Sequence, residues 1–200
     1  MPTESKSKPG KADQPIIPFA GPEIWEQWLE QNHADVNGIW IQFYKKSSGI
    51  ASVTYAEALD AALCYGWIDA QVKSIDELSY KQHFTPRRPR SIWSKRNIEH
   101  IARLTEQQRM KPAGMKQVEA AKTDGRWQQA YDSPVNMVLP DDLREELSKN
   151  KQSLDFYESL SKANKYAFCW RLQTAKRPET REKRKQEILG MLARGEKYHI

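Results

Sequence analysis

The chain has 200 residues, 38% of them hydrophobic and 29% charged, with a formal net charge of +6 and a mean hydropathy of −0.83. That length fits one domain or two small ones, and the apolar share is enough for a core. No run approaches the roughly 20 apolar residues needed to cross a bilayer, so no membrane span is expected.

Residues 1–18, MPTESKSKPGKADQPIIP, are rich in Ser, Lys, Pro and Gly and read as a disordered tail. They hold no apolar signal-peptide core, so a cytoplasmic location is the default expectation. Pro22 suits a first helical turn, and Ile24, Trp25, Trp28 and Leu29 recur at helical spacing. An amphipathic helix from about Glu23 to Gln31 follows. Asn37-Gly38 turns the chain into a strand built from Ile39, Trp40, Ile41, Phe43 and Tyr44. After the loop SSGIAS, Thr54 and Glu57 form a capping box for the helix YAEALDAALCY, and Gly66 suits its left-handed end. WIDAQVKSI and LSYKQHFTP read as two strands joined at Asp76-Glu77, with Pro86 and Pro89 ending the sheet. Ser94 caps a helix KRNIEHIARL whose Ile98, Ile101 and Leu104 face inward, and Thr105 to Gln108 fits a second capping box. Pro112 begins another helix that stops near Gly125. A long connection follows, anchored by Trp127 and Tyr131.

From Asp141 onward only helices are expected: DDLREELSKN, KQSLDFYESLS, ANKYAFCWRLQTAKR and PETREKRKQEILGMLARG. Their inward stripes are Leu143 with Leu147, Tyr166 with Cys169 and Trp170, and Ile188 with Met191 and Leu192, and the short loops imply antiparallel neighbours. The fold class is therefore α+β: a small antiparallel sheet with packed helices, followed by a C-terminal all-helical module. The expected organisation is a tail over 1–18, an α+β domain over 19–135 and the helical module over 136–200.

Cys64 and Cys169 sit in apolar helical contexts and read as two reduced core thiols. No CxxC, HExxH or His cluster is present, so neither a metal nor a cofactor is expected. His33, His83, His100 and His199 have no nucleophile at a telling spacing.

The charge is segregated. Residues 81–116 hold 10 basic and 2 acidic side chains and residues 162–185 hold 9 and 2, while residues 1–80 hold 6 and 11. Such blocks point to a directed field. The block at 162–185 is best read as charged helix surface. In the first block the charges are interleaved with Trp, Pro and Ser, and there three features converge. Arg87, Arg88 and Arg90 offer forked donors that match phosphate or carboxylate oxygens. The helix start after Ser94 presents N–H groups and a positive dipole end, with Lys95, Arg96 and Asn97 in its first turn. Trp93 is a flat surface for stacking, and the prolines stiffen TPRRPR. Asp69 would hold the arginines in place or accept a hydroxyl or amino proton from the ligand, and Ser91 completes the group. Trp67, directly after a helix-ending glycine, reads as a core plug.

At GWID, TPRRPRSIWSKRN and AKRPETREKR the chain resembles the YdeI/OmpD-associated (OmdA) family, also called bacteriocin-protection proteins. The resemblance runs from about Phe19 to Gly195 through GIWIQFYKK, TYAEALDAALCYGWID, MKPAG and AKTDGRW. It implies a bacterial origin, an α+β front part with a helical tail, and a loose link to tolerance of cationic antimicrobial peptides or bacteriocins and to an outer-membrane porin. It carries over no catalytic role. Trp67, Asp69, Pro86, Arg87, Ser91, Trp93, Ser94 and Asn97 are carried over as the family's signature. A basic chain repels cationic peptides, more so at low salt, so protection would act indirectly. The expected function is a cytoplasmic binding or stress-response protein holding a small anionic ligand or nucleotide, with nucleic acid as a weaker variant. The alternatives are an enzyme of unknown reaction using Asp69 as acid or base, and an interaction module binding a protein partner through its helical tail.

Overall fold

The computed structural model describes residues 14–198, so most of the expected tail and His199 lie outside the described residues. The elements run β1 (Ile16–Pro18), α1 (Pro22–Asn32), β2 (Ile39–Tyr44), α2 (Tyr55–Cys64), β3 (Trp67–Ser74), β4 (Ser79–Pro86), α3 (Lys95–Glu106), α4 (Pro112–Thr123), α5 (Asp141–Ser148), α6 (Lys151–Ser159), α7 (Lys162–Gln173) and α8 (Pro178–Ala193). Four strands form one sheet in the order β1-β2-β4-β3. The class is α+β, and the three longer strands are antiparallel. The tail reading is corrected at its end: Ile16–Pro18 is a strand that pairs in parallel with β2, Ile17 opposite Ile41. A parallel pair needs a long crossover, and α1 supplies it.

Register assigns the two faces of the sheet. Ile39 opposes Phe84 and Phe43 opposes Tyr80, and period 2 puts Ile41 and Gln82 on the same side. Trp25 and Leu29 of α1 are fully buried, and the Trp25 ring lies 5.9 Å from Phe84 and 6.3 Å from Trp67. Trp25 Nε1 donates to the Ala58 carbonyl of α2 at 3.0 Å, and Trp67 Nε1 donates to the His33 carbonyl at 3.1 Å. Each indole thus buries its rings and still satisfies its one polar atom. Ile24, expected on the inward stripe, is half exposed, because Trp25 and Leu29 already fill that side.

The capping box at Thr54 and Glu57 closes the start of α2. Gly66 (φ +76°) ends that helix in the left-handed region. A Cβ there would lie 2.9 Å from the Ala113 carbonyl, and one on Gly114 only 2.2 Å from the Cys64 carbonyl. Glycine at both positions is what lets the end of α2 meet the start of α4. The second capping box does not form. Thr105 lies inside α3 and donates its hydroxyl to the Ile101 carbonyl, and α4 starts later, at Pro112.

The chain separates into two compact units. One comprises the residues up to Ser91 together with Ile98–Gln128, and the other comprises Ile92–Asn97 with the residues from Gln129 onward. The division falls before the expected boundary at 135 and passes through the basic motif. In the second unit Leu143, Leu147, Tyr157, Leu160, Phe168, Leu172, Ile188 and Leu192 form the helical core. On α7 the inward stripe is Phe168, Cys169 and Leu172, while Tyr166 and Trp170 are only half-buried. Both cysteines are buried and free, and burial pushes the Cys64 thiol up to about 11. A thiol held protonated in this way is inert. No described helix is long and apolar enough to cross a membrane.

Candidate functional site

The site grows from the far end of the β3–β4 pair. Ile68 opposes Thr85 and Asp69 opposes Phe84, and then the register shifts between Asp69 and Val72. Such bulges bend a strand and re-aim its side chains. Past Pro86 the chain stays tethered, since the Arg87 N–H donates to the Gly66 carbonyl at 3.0 Å. It then turns on Pro89 and Arg90, closed by the Ser91 N–H donating to the Arg88 carbonyl at 3.0 Å. Pro89 has the φ that the first central position wants. Arg90 occupies the second at φ +67°, a left-handed conformation that costs a non-glycine residue roughly 1–2 kcal/mol.

An open cleft of about 890 Å³ lies against this turn. Arg87, Arg88, Arg90, Ser91 and Asp69 all line it. Arg87 is buried, and its Nη1 donates to Ser91 Oγ at 3.4 Å. Arg88 and Arg90 are exposed and make no ion pair among the described residues. The other wall is polar but carries no arginine. There the Thr85 hydroxyl donates to the Asn37 carbonyl at 3.1 Å, and the buried His83 donates from Nε2 to the side-chain carbonyl of Gln14. Gly38 makes room for that contact, because a Cβ on it would lie 2.9 Å from His83 Nε2. Asp69 does not brace the arginines as expected. Its Oδ2 accepts from the Tyr55 hydroxyl at 3.0 Å and from Gln82 Nε2 at 2.9 Å.

The second half of the motif is built differently. Trp93 is 1% exposed, so it offers no stacking surface to a ligand. The Trp93 carbonyl accepts from the Tyr131 N–H at 3.0 Å, and the Tyr131 carbonyl accepts from the Lys95 N–H at 2.8 Å. Ser94 Oγ accepts from the Asn97 N–H at 3.1 Å, the helix cap that the sequence predicts. Two of the N–H groups that were to receive an anion thus already have partners. The Lys95 ammonium pairs with Asp132 at 2.7 Å. Arg96 is exposed and lines no part of the cleft. The five residues Trp93 to Asn97 belong to the second unit, and the cleft is formed by residues of the first.

Several contributors carry no sequence signal. Gln14 falls in the stretch read as tail, and His83 and Gln82 look like ordinary strand residues. Arg126 is buried; its Nε donates to the Asp124 carboxylate at 2.7 Å and its Nη1 to the Ser91 carbonyl at 2.8 Å, which fixes the end of the arginine turn. Only the Asp-Gly-Arg spacing hints at the first of these bonds. Among the described residues, no group of His, Cys, Asp and Glu is placed to hold a metal ion. The large hydrophobic side chains that stand exposed include Val72, Ile75 and Leu78 at the β3–β4 hairpin and Val135 and Val138 ahead of α5; none lies on α7 or α8.

Residues 17–117 match the family described as Domain of unknown function (DUF8412), and residues 136–195 match the family described as Bacteriocin-protection, YdeI or OmpD-Associated. No curated protein and no solved structure matches the chain. The resemblance read along the chain therefore divides. GWID and TPRRPRSIWSKRN fall within the first match, and AKRPETREKR falls within the second. The chain thus belongs to the DUF8412 family through a match covering just over half its length, and its C-terminal helices carry the match to the bacteriocin-protection, YdeI or OmpD-associated family.

Proposed function

We propose that the protein is a binding protein whose cleft holds a phosphate- or carboxylate-bearing ligand, and that any part in bacteriocin or antimicrobial-peptide tolerance is indirect, through that ligand. One observation carries this reading: Arg88 and Arg90 stand without ion pairs among the described residues at the cleft, beside the buried Arg87. Guanidinium pairs suit oxyanions because two N–H groups meet two oxygens at once. The left-handed backbone at Arg90 gives further support, since strain of this kind gathers at ligand clamps. Inorganic pyrophosphate titrated calorimetrically into the full chain tests it. Each of Arg88→Ala and Arg90→Ala is expected to weaken binding about tenfold or more, since a charge-assisted hydrogen bond contributes roughly 1.5–3 kcal/mol. Both are surface residues, so stability should stay within about 0.5 kcal/mol. Equal affinity in the double variant overturns the reading.

A polymeric anion, nucleic acid, is favoured by a separate observation. Lys73 and Lys81 oppose each other across β3 and β4, and their ammonium groups lie 5.3 and 5.1 Å from the centre of the Trp40 ring. Like charges directly opposite destabilise a sheet, which points to a polyanion crossing this face. Binding of a single-stranded oligonucleotide would then weaken steeply with salt and less steeply in Lys73→Ala. A flat salt response removes this variant and leaves the small anion.

A further inference from the structure

We propose that the ligand is two-ended: besides the anionic group for the arginines, it carries a hydroxyl group that donates to Asp69 Oδ1. The ligand class is then a hydroxyl-bearing phosphate ester, such as a sugar phosphate or the ribose end of a nucleotide. This rests on the anion reading of the same cleft.

The asymmetry of the Asp69 carboxylate carries the argument. Both of its hydrogen bonds arrive at Oδ2, from Tyr55 at the start of α2 and from Gln82 on β4. Oδ1 receives none among the described residues, and Asp69 makes no ion pair there. Two donors from two different elements fix the plane of the group, and the bulge that begins at Asp69 releases the strand from its pairing. A carboxylate oxygen held in this way is an acceptor with no competing partner among the described residues.

The same cleft contains three arginines, and a bare anion would gain from them while meeting the like charge of Asp69. A ligand that brings a donor to Oδ1 turns that repulsion into a hydrogen bond. An ammonium donor would meet the field of three guanidiniums, so a neutral hydroxyl fits better. Size agrees: a cleft of about 890 Å³ falls in the roughly 300–1,000 Å³ range of small-molecule sites. It holds far more than one phosphate group.

The test compares ribose 5-phosphate with methyl phosphate, which presents the same phosphate without hydroxyls, by calorimetry on the full chain. The expected result is about tenfold tighter binding of ribose 5-phosphate, the discrimination of one hydrogen bond to a charged group. Asp69→Asn should remove that preference by weakening only the ribose ester, with methyl phosphate binding as well or better. Tyr55→Phe keeps the charge but frees the carboxylate from one brace, and should lose part of the preference. It serves as the second variant if Asp69→Asn fails to fold. Equal binding of both esters to the unmodified chain sinks the two-ended ligand and leaves the anion reading standing. Failure of both esters to bind sinks the anion reading as well. A loss of affinity in Asp69→Asn that is the same for both esters makes Asp69 a structural support only.

Discussion

The two basic blocks of this chain look alike in sequence and are unlike in structure. Residues 162–185 carry 9 basic and 2 acidic side chains, yet carboxylates and carbonyls from neighbouring elements meet many of those cations. Arg171 pairs with Glu187 at 3.2 Å, Arg181 and Lys185 both reach Asp142, and Arg184 donates to the Arg171 carbonyl at 2.7 Å. The block at 81–116 has a similar excess, and its outer members are matched in the same way. Arg103 pairs with Asp60 at 2.7 Å, and Arg109 and Lys111 approach Glu26. Among the described residues Arg88 and Arg90 have no such counterpart. Local excess of charge is thus a poor guide to an open site. Lys176 and Arg177 on the helical side also make no ion pair among the described residues, so what distinguishes the site is that Arg88 and Arg90 share one turn with the buried Arg87 and line the same cleft.

The sharpest way to break this contrast lies at Trp93, where the motif passes from open to structural. Trp93 is 1% exposed and its backbone is hydrogen-bonded to Tyr131. Trp93→Ala is expected to destabilise its unit by about 3–5 kcal/mol, the usual cost of emptying a buried tryptophan site. Chemical denaturation checks this. A variant that keeps its stability and loses pyrophosphate binding would place Trp93 at the ligand and erase the division drawn inside the motif.

A smaller effect is expected at Arg90. Arg90→Gly removes the left-handed penalty, which stabilises the turn by about 1 kcal/mol less the greater chain entropy of glycine. The same substitution deletes one of the open cations, so pyrophosphate affinity should fall while the melting temperature holds or rises. Opposite movement of stability and binding is the signature of strain maintained for a ligand. A fall in both would make the turn a purely structural element.

Much of the fold was legible because local chemistry and tertiary packing agree. The capping box at Thr54 and Glu57, the left-handed end at Gly66, the Asp76 turn and the cap at Ser94 are all short-range devices, and each forms as read. β1 was hidden because three residues ending in a proline carry no period, and their pairing with β2 is decided by the crossover through α1. The site was legible only in part. The arginines converge because one turn carries them. Trp93 looked like a ligand platform because a chain gives no sign of which side of an indole will be covered. Tyr55, Gln82 and Gln14 reach the site across 14, 13 and 69 residues of sequence from the groups they touch, distances over which no local pattern operates.

The smallest expected effect separates matched from open cations by pH. In the helical unit, Arg181 Nη2 donates to Asp142 Oδ1 at 2.8 Å, and Lys185 lies 3.7 Å from Oδ2. The hydrogen bond from Arg181 holds the Asp142 carboxyl below its ordinary 3.8, against the upward pull of partial burial. A depressed pKa means that the folded state binds its proton less readily than the unfolded chain. The stabilisation is therefore complete above about pH 5 and is lost as pH falls through the folded value, below about 4. Both side chains are about a third exposed, so solvent screening limits the pair to roughly 0.2–1 kcal/mol. Asp142→Asn should lower the melting temperature by a few degrees near neutral pH and match the unmodified chain once the carboxyl is protonated. Arg88→Ala, which breaks no ion pair among the described residues, should track the unmodified chain across the whole range. If instead Arg88→Ala converges on the unmodified chain only in acid, a carboxylate already neutralises Arg88, and the cleft loses an open cation for its anion.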